Sequence, residues 1–163
     1  MFTRKWLRLS DVSYLSIFLF VMLHLYGAFY AYTENAFGEW FRIRYNLWRN
    51  PYDRIVHFSF GLFMAYPFRE ILINKFHVST RASWLYPIEI AFSLGTIFEL
   101  IEWGVAAFTT KETGETYVAT QGDLWNPHKD ITMAALGAAT SMLILNIFSR
   151  RREKNLIMKQ IPN

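Results

Sequence analysis

Asp53 and His57 are four residues apart, Glu99 and Glu102 are three apart, and Asp123 and Asp130 bracket a short polar stretch. On helices, spacings of three and four put side chains on one face. Carboxylates and an imidazole on facing helices can share a divalent cation. Hard oxygen ligands suit Mg²⁺, Mn²⁺ or Ca²⁺, and the imidazole also admits Zn²⁺. Without a cation, crowded carboxylates hold a proton between them and form an acid/base pair. Asp53, His57, Glu99, Glu102 and Asp130 are therefore the candidate metal ligands, with Glu99, Glu102 and His57 as the catalytic candidates. A plainer reading stands beside this one. In it Asp53 and Asp130 cap helix N-termini, and the glutamates pair with Arg42, Arg44, Arg49 or Arg54. The two differ in geometry: a clamp gives each carboxylate an arginine, whereas a metal site turns carboxylates towards one another.

The elements that must position these residues are apolar helices. The chain is 53% hydrophobic, and its apolar residues fall in blocks near 12–32, 54–73, 84–108 and 130–148. Each is long enough to cross a hydrocarbon core of roughly 30 Å at about 1.5 Å per residue. The expected fold is all-α: a single polytopic membrane domain over 1–163, built as a four-helix transmembrane bundle with a basic cytoplasmic tail from 149 onwards. A soluble bundle would have to bury the uncharged fourth block completely. The first block follows Arg4, Lys5 and Arg8 but has the length of an uncleaved anchor rather than a signal peptide.

Arg4, Lys5, Arg8, Lys75, Arg81 and the tail residues Arg150, Arg151, Arg152, Lys154 and Lys159 outnumber Arg42, Arg44, Arg49, Arg54, Lys111 and Lys129 on the other side. The positive-inside rule then places both termini in the cytoplasm. All six acidic or histidine groups fall near the opposite, outer face, together with Trp40, Trp48, Trp103 and Trp125, an interfacial aromatic belt. Ionisable groups at that depth are costly unless they pair, bind an ion or meet water. Gly61 continues the face of Asp53 and His57. Ala134, Gly137, Ala138 and Ser141 follow Asp130 as a small-residue stripe suited to close helix packing. At the cytoplasmic end Arg69, Glu70 and Glu89 form a smaller polar group expected to be structural.

Residues 121–130 (QGDLWNPHKD) are loop-like, with Gly122 and Pro127 marking turns. Gln121, Asp123 and His128 are the residues expected to close over the site. Arg49 and Arg54 are candidates for gathering an anionic headgroup. His24 lies within the first block, below Tyr30 and Tyr32, and more often such a residue bonds a neighbouring helix than does chemistry. With no cysteine in the chain, disulfides, thiolate catalysis and iron–sulfur clusters are excluded. No HExxH, GxSxG, P-loop, GxGxxG or EF-hand pattern occurs. The net charge of +4 resides at segment ends, so no nucleic-acid partner is expected.

The segments Gly27-Ala28-Phe29-Tyr30-Ala31-Tyr32, Tyr52-Asp53-Arg54-Ile55-Val56-His57-Phe58, Glu99-Leu100-Ile101-Glu102-Trp103 and Gln121-Gly122-Asp123-Leu124-Trp125, followed by Asp130 and Gly137-Ala138, resemble the YjdF family of predicted bacterial inner-membrane proteins. The order Asp-x-x-x-His, glutamate helix, then Asp before a small-residue helix is more distantly similar to VanZ-like membrane proteins. The resemblance implies a polytopic helical protein of the bacterial inner membrane, and it does not name a reaction. Two positions depart from the family pattern, Asn126 where an Asp stands and His128 where a Gln stands. Members also carry further N-terminal hydrophobic sequence, so a helix closing the site here would come from another subunit, as in a homo-oligomer. The expected activity is metal-assisted chemistry on a lipid or envelope precursor. The alternatives are a small proton- or cation-coupled transporter and a non-catalytic scaffold.

Overall fold

The computed structural model describes Leu7, residues 9–110, Gly114 and residues 118–160, the last nine by backbone alone. The side chains of Arg4, Lys5, Arg8, Lys111, Arg152, Lys154 and Lys159, used above for orientation, lie outside the described residues. Among the described residues all regular structure is helical: α1 (Asp11–Phe29), α2 (Ala36–Arg44), α3 (Tyr52–Asn74), α4 (Ala82–Ala107) and α5 (Asn126–Gln160).

α1, α4 and the Asn126–Arg151 part of α5 are long and apolar enough to cross a membrane by length and composition. α3 is of similar length, but Asp53, Arg54, Arg69 and Glu70 lower its hydropathy. It occupies the centre instead, packing against α1, α4 and α5, while α5 also packs on α4. The surface shows why. Leu15, Phe18, Met22, Leu25, Leu85, Ile97, Leu100, Ile101, Leu143 and Phe148 are all exposed, whereas the fully buried positions include Ala65, Ala91, Ala134 and Ala138. Large apolar groups point outwards and small ones inwards, the pattern of helices packed in lipid, where close backbone approach replaces hydrophobic burial.

That approach is closest between α3 and α5. A Cβ on Gly61 would overlap the Ala134 carbonyl and the Ala138 amide, and a Cβ on Gly137 would overlap the Phe58 carbonyl and the Leu62 amide. Gly95 of α4 completes the junction, its Cβ direction reaching the Ala134 methyl at 3.4 Å.

The connections carry features the hydropathy pattern did not signal. α2 is a short amphipathic helix within the first loop, capped by the Asn35 side chain on the Gly38 amide at 2.7 Å, with Arg42 and Arg44 in its last turn. Phe37, Trp40 and Ile43 are exposed on it. α1 ends at Phe29 because Ala31 and Tyr32 adopt left-handed backbone conformations (φ 50° and 58°), which fold the chain back over Gly27. α5 begins at Asn126, four residues before Asp130, with Pro127 in the first turn, where its missing amide is harmless. At the opposite end Glu70 accepts from the Ser10 amide (2.9 Å) and the Ser13 hydroxyl (2.6 Å), and Arg69 stacks over Trp84 at 4.0 Å. Of the polar group expected there to be structural, Glu70 thus holds the start of α1 and Arg69 packs on α4.

Gly61→Ala and Gly137→Ala should each destabilise the bundle by about 1–3 kcal/mol through overpacking. Gly104→Ala, which meets nothing within 4 Å, should leave stability unchanged or slightly raised. Thermal unfolding of the three variants in one detergent checks this, and equal losses at all three would contradict the α3–α5 contact.

Candidate functional site

The three small residues at the junction fix what lies one helical turn away. His57 precedes Gly61 by four residues, Asp130 precedes Ala134 by four, and Glu99 follows Gly95 by four. α3 and α5 run in one sense and α4 in the other, so all three steps lead towards the end where α3 and α5 begin. There the buried side chains of His57, Glu99 and Asp130 meet, each offering one ligand atom, with all three atoms within 4.8 Å of one another. His57 Nε2 lies 3.3 Å from Glu99 Oε1 and 3.7 Å from Asp53 Oδ1. Neither oxygen of Glu99 and neither of Asp130 accepts a hydrogen bond, although all four are buried.

The arginines go elsewhere. Arg49, 4% exposed, is held by Asn126 Oδ1 and by the carbonyls of Ala119 (3.1 Å) and Thr120 (3.4 Å). It also lies 3.7 Å from both Asp53 and Asp123. Burial lowers its affinity for a proton, Arg54 adds to this, and Asp53, Asp130 and Asp123 oppose it; a guanidinium remains charged throughout. Arg54 binds Asp123 tightly and approaches Asp130 Oδ1 only to 4.0 Å. Lys129 binds Asp123 at 2.7 Å. Arg42 pairs with Glu39 on α2. The arginine clamp thus serves Asp53 and Asp123, while the ionic contacts of Glu99 are with His57 rather than arginine.

Several expected roles shift accordingly. Asp130 lies inside α5 and does not cap it. The turn at that helix start is made by Asp123, whose Oδ1 accepts from the Trp125 amide at 3.1 Å. The Lys129 contact foremost, with that amide and Arg54, holds the Asp123 carboxyl down at about 2, against an ordinary value of 3.8. Its binding is complete above the ordinary value and is lost only as pH falls through about 2. Asp53 is the second residue of α3 and does not cap it; the helix's N-cap position is Pro51, and its first amide, that of Tyr52, donates to Asn50 Oδ1 at 3.0 Å. Asp53 touches His57 but is otherwise engaged by Arg49 and by Asn126 Nδ2 (3.4 Å). Glu102 is buried on α4 outside the set of meeting ligand atoms. Gln121 pairs doubly with the Asn50 backbone (2.9 and 3.0 Å), docking the loop on α3's entry. His128 is exposed with its ring against Trp125, away from the cluster. Arg49 is a buried latch, whereas Arg54 stays partly exposed beside the site.

Sequence reasoning missed Asn126, which is fully buried and bridges Arg49 to Asp53. The Asn126-Pro127 pair was its signal, since Asn before Pro favours a helix start. His24, expected to bond a neighbouring helix, instead finds its partner in the turn that follows its own helix. His24 Nδ1 meets the Tyr32 hydroxyl at 2.8 Å, and its ring lies 6.4 Å from that of Phe98.

The family described as "Predicted membrane protein (DUF2238)" matches residues 1–151. The chain belongs to that family. It is 34% identical over 149 residues to "Inner membrane protein YjdF" of Escherichia coli (strain K12), covering 88% of this chain and 69% of that relative. No solved structure shows significant similarity to it. The protein is therefore a membrane protein with an inner-membrane relative.

Arg49→Ala would strand Asn126, two loop carbonyls and Asp53. It should cost about 3–5 kcal/mol, as expected when one partner of a buried ion pair is removed. Hydrogen exchange should show the 118–125 segment losing protection before the helices do. Unchanged protection there would contradict the latch.

Proposed function

We propose that this protein crosses the membrane with α1, α3, α4 and α5 and binds a divalent cation between His57, Glu99 and Asp130. There the cation acts on an anionic group of a lipid or envelope precursor. The positive-inside distribution supports termini in the cytoplasm and a site at the outer face of a bacterial inner membrane.

The observation that carries the reading is the set of buried carboxylate oxygens on Glu99 and Asp130 without hydrogen-bond donors, next to an imidazole. A charge at such a depth has to be neutralised. Two ligands of one ion lie at most twice the bond length apart, about 4.2 Å for Mg²⁺ and about 5 Å for Ca²⁺. Ligand atoms within 4.8 Å of one another lie inside the limit for Ca²⁺ and would draw in slightly around a smaller ion. Three protein ligands leave positions open for water and substrate, the arrangement of catalytic rather than structural metals. A bound cation would polarise a phosphoryl or carbonyl oxygen or activate a water. Arg54, 4.0 Å from Asp130, would face the substrate's negative charge.

Purified protein should retain about one divalent metal per chain, or gain thermal stability on adding Mg²⁺, Mn²⁺, Ca²⁺ or Zn²⁺, by RT ln(1 + [L]/Kd). The Glu99→Gln/Asp130→Asn variant should lose the metal and the response while remaining folded, since amides relieve the buried charge. Elemental mass spectrometry beside a thermal scan reads both. Absence of metal together with absence of any stabilisation in the parent protein overturns the cation reading.

A further inference from the structure

α1 and α4 both flank α3 but do not pack along one another. Between them lies a cavity of about 330 Å³, within the size range of small-molecule sites. Its walls are the side chains of Phe20, Phe60, Leu94, Ile97, Phe98 and Ile101, and its polar lining residues are His24, Tyr32 and His57. His24 is five residues from the end of α1, and His57 five residues from the start of α3. Both therefore sit about 7.5 Å inside the same end of the bundle, with Phe20 and Phe60 deeper. The cavity is thus apolar below and polar above. Leu94, Ile97, Phe98 and Ile101 are themselves exposed, so the cavity opens sideways past α4.

We propose that this crevice binds one hydrocarbon chain of a membrane lipid, with the lipid's headgroup end at His57. The inference rests on the cation reading of His57, Glu99 and Asp130 and gives that site its substrate class. Three observations select the occupant. The opening is on the flank of helices whose exposed faces are apolar, so what stands outside it is lipid hydrocarbon. The lower walls offer no hydrogen-bonding side chain, so a sugar or nucleotide has nothing to meet, whereas an acyl chain buries the aromatic and aliphatic surface. His57 lines the crevice and also contacts Glu99. A chain seated below it therefore brings the ester or phosphate of its headgroup to the carboxylate–imidazole cluster. The His24–Tyr32 hydrogen bond supplies a second polar anchor at that level. Lateral entry also lets a lipid reach the site without leaving the bilayer.

The test uses the full chain in detergent with a phosphatidylglycerol carrying a photoactivatable diazirine in one acyl chain, the labelled residues being mapped by mass spectrometry. Labelling should concentrate around Phe20–His24 and Leu94–Ile101 and be competed by unlabelled lipid. It should fall by about tenfold in Leu94→Trp, which narrows the crevice. Ile97→Trp serves where that variant does not fold. Leu143→Trp, on the outward face of α5, should not change labelling. Labelling spread over the outward faces of α1 and α5 and indifferent to Leu94→Trp overturns the proposal. Metal content of the same samples separates the two ideas. Diffuse labelling with metal retained overturns the crevice alone. Crevice labelling without metal upholds the lipid site and overturns the cation reading.

Discussion

The close approach of α3 and α5 governs the rest of the molecule. Gly61 and Gly137 let the two backbones touch, and Gly95 brings α4 onto Ala134 at the same level. In lipid, no hydrophobic force drives such helices together, so small residues and polar contacts decide which faces meet. One turn from this junction the helices have no freedom to keep His57, Glu99 and Asp130 apart. The convergence is a geometric consequence of Gly61, Gly95, Ala134 and Gly137.

A second constraint is the division of charge around that site. Asp123 is held by Arg54 and Lys129, and Asp53 by Arg49 and Asn126, so the loop over 118–125 is fastened to the entry of α3. These contacts use the nearby cations on the aspartates at the rim. Glu99 and Asp130, deeper inside, are left with His57 and with Arg54 at its limit of reach. A scaffold built only to clamp helices would give every buried carboxylate an arginine, whereas the arginines here take Asp53 and Asp123 and leave Glu99 to His57. They fasten the 118–125 loop, and Glu99 and Asp130 lie beside an imidazole.

Much of this arrangement was legible in the sequence. The apolar blocks indicated long helices, and the i, i+4 pair of Asp53 and His57 with the small-residue stripe after Asp130 indicated which faces would meet. The convergence of His57, Glu99 and Asp130 follows from those patterns. What was not legible depended on contacts between segments distant in the chain. Arg49 reads as a loop arginine free to meet a headgroup, yet carbonyls some seventy residues later enclose it. Asp130 reads as a cap because the apolar run begins after it, but Asn126-Pro127 starts the helix one turn earlier. α2 is too short for hydropathy alone to reveal, and the α1–α4 crevice arises from two helices that do not pack together, which no local pattern encodes.

Electron paramagnetic resonance of the Mn²⁺-loaded protein reads the ligands at the α3–α4–α5 junction rather than an activity. A cation held by His57, Glu99 and Asp130 gives a bound Mn²⁺ signal coupled to one histidine nitrogen, with the coupling abolished by His57→Gln and the binding itself by Glu99→Gln/Asp130→Asn. A signal of free aqueous Mn²⁺ alone, or a bound ion whose nitrogen coupling survives His57→Gln, would contradict such a site.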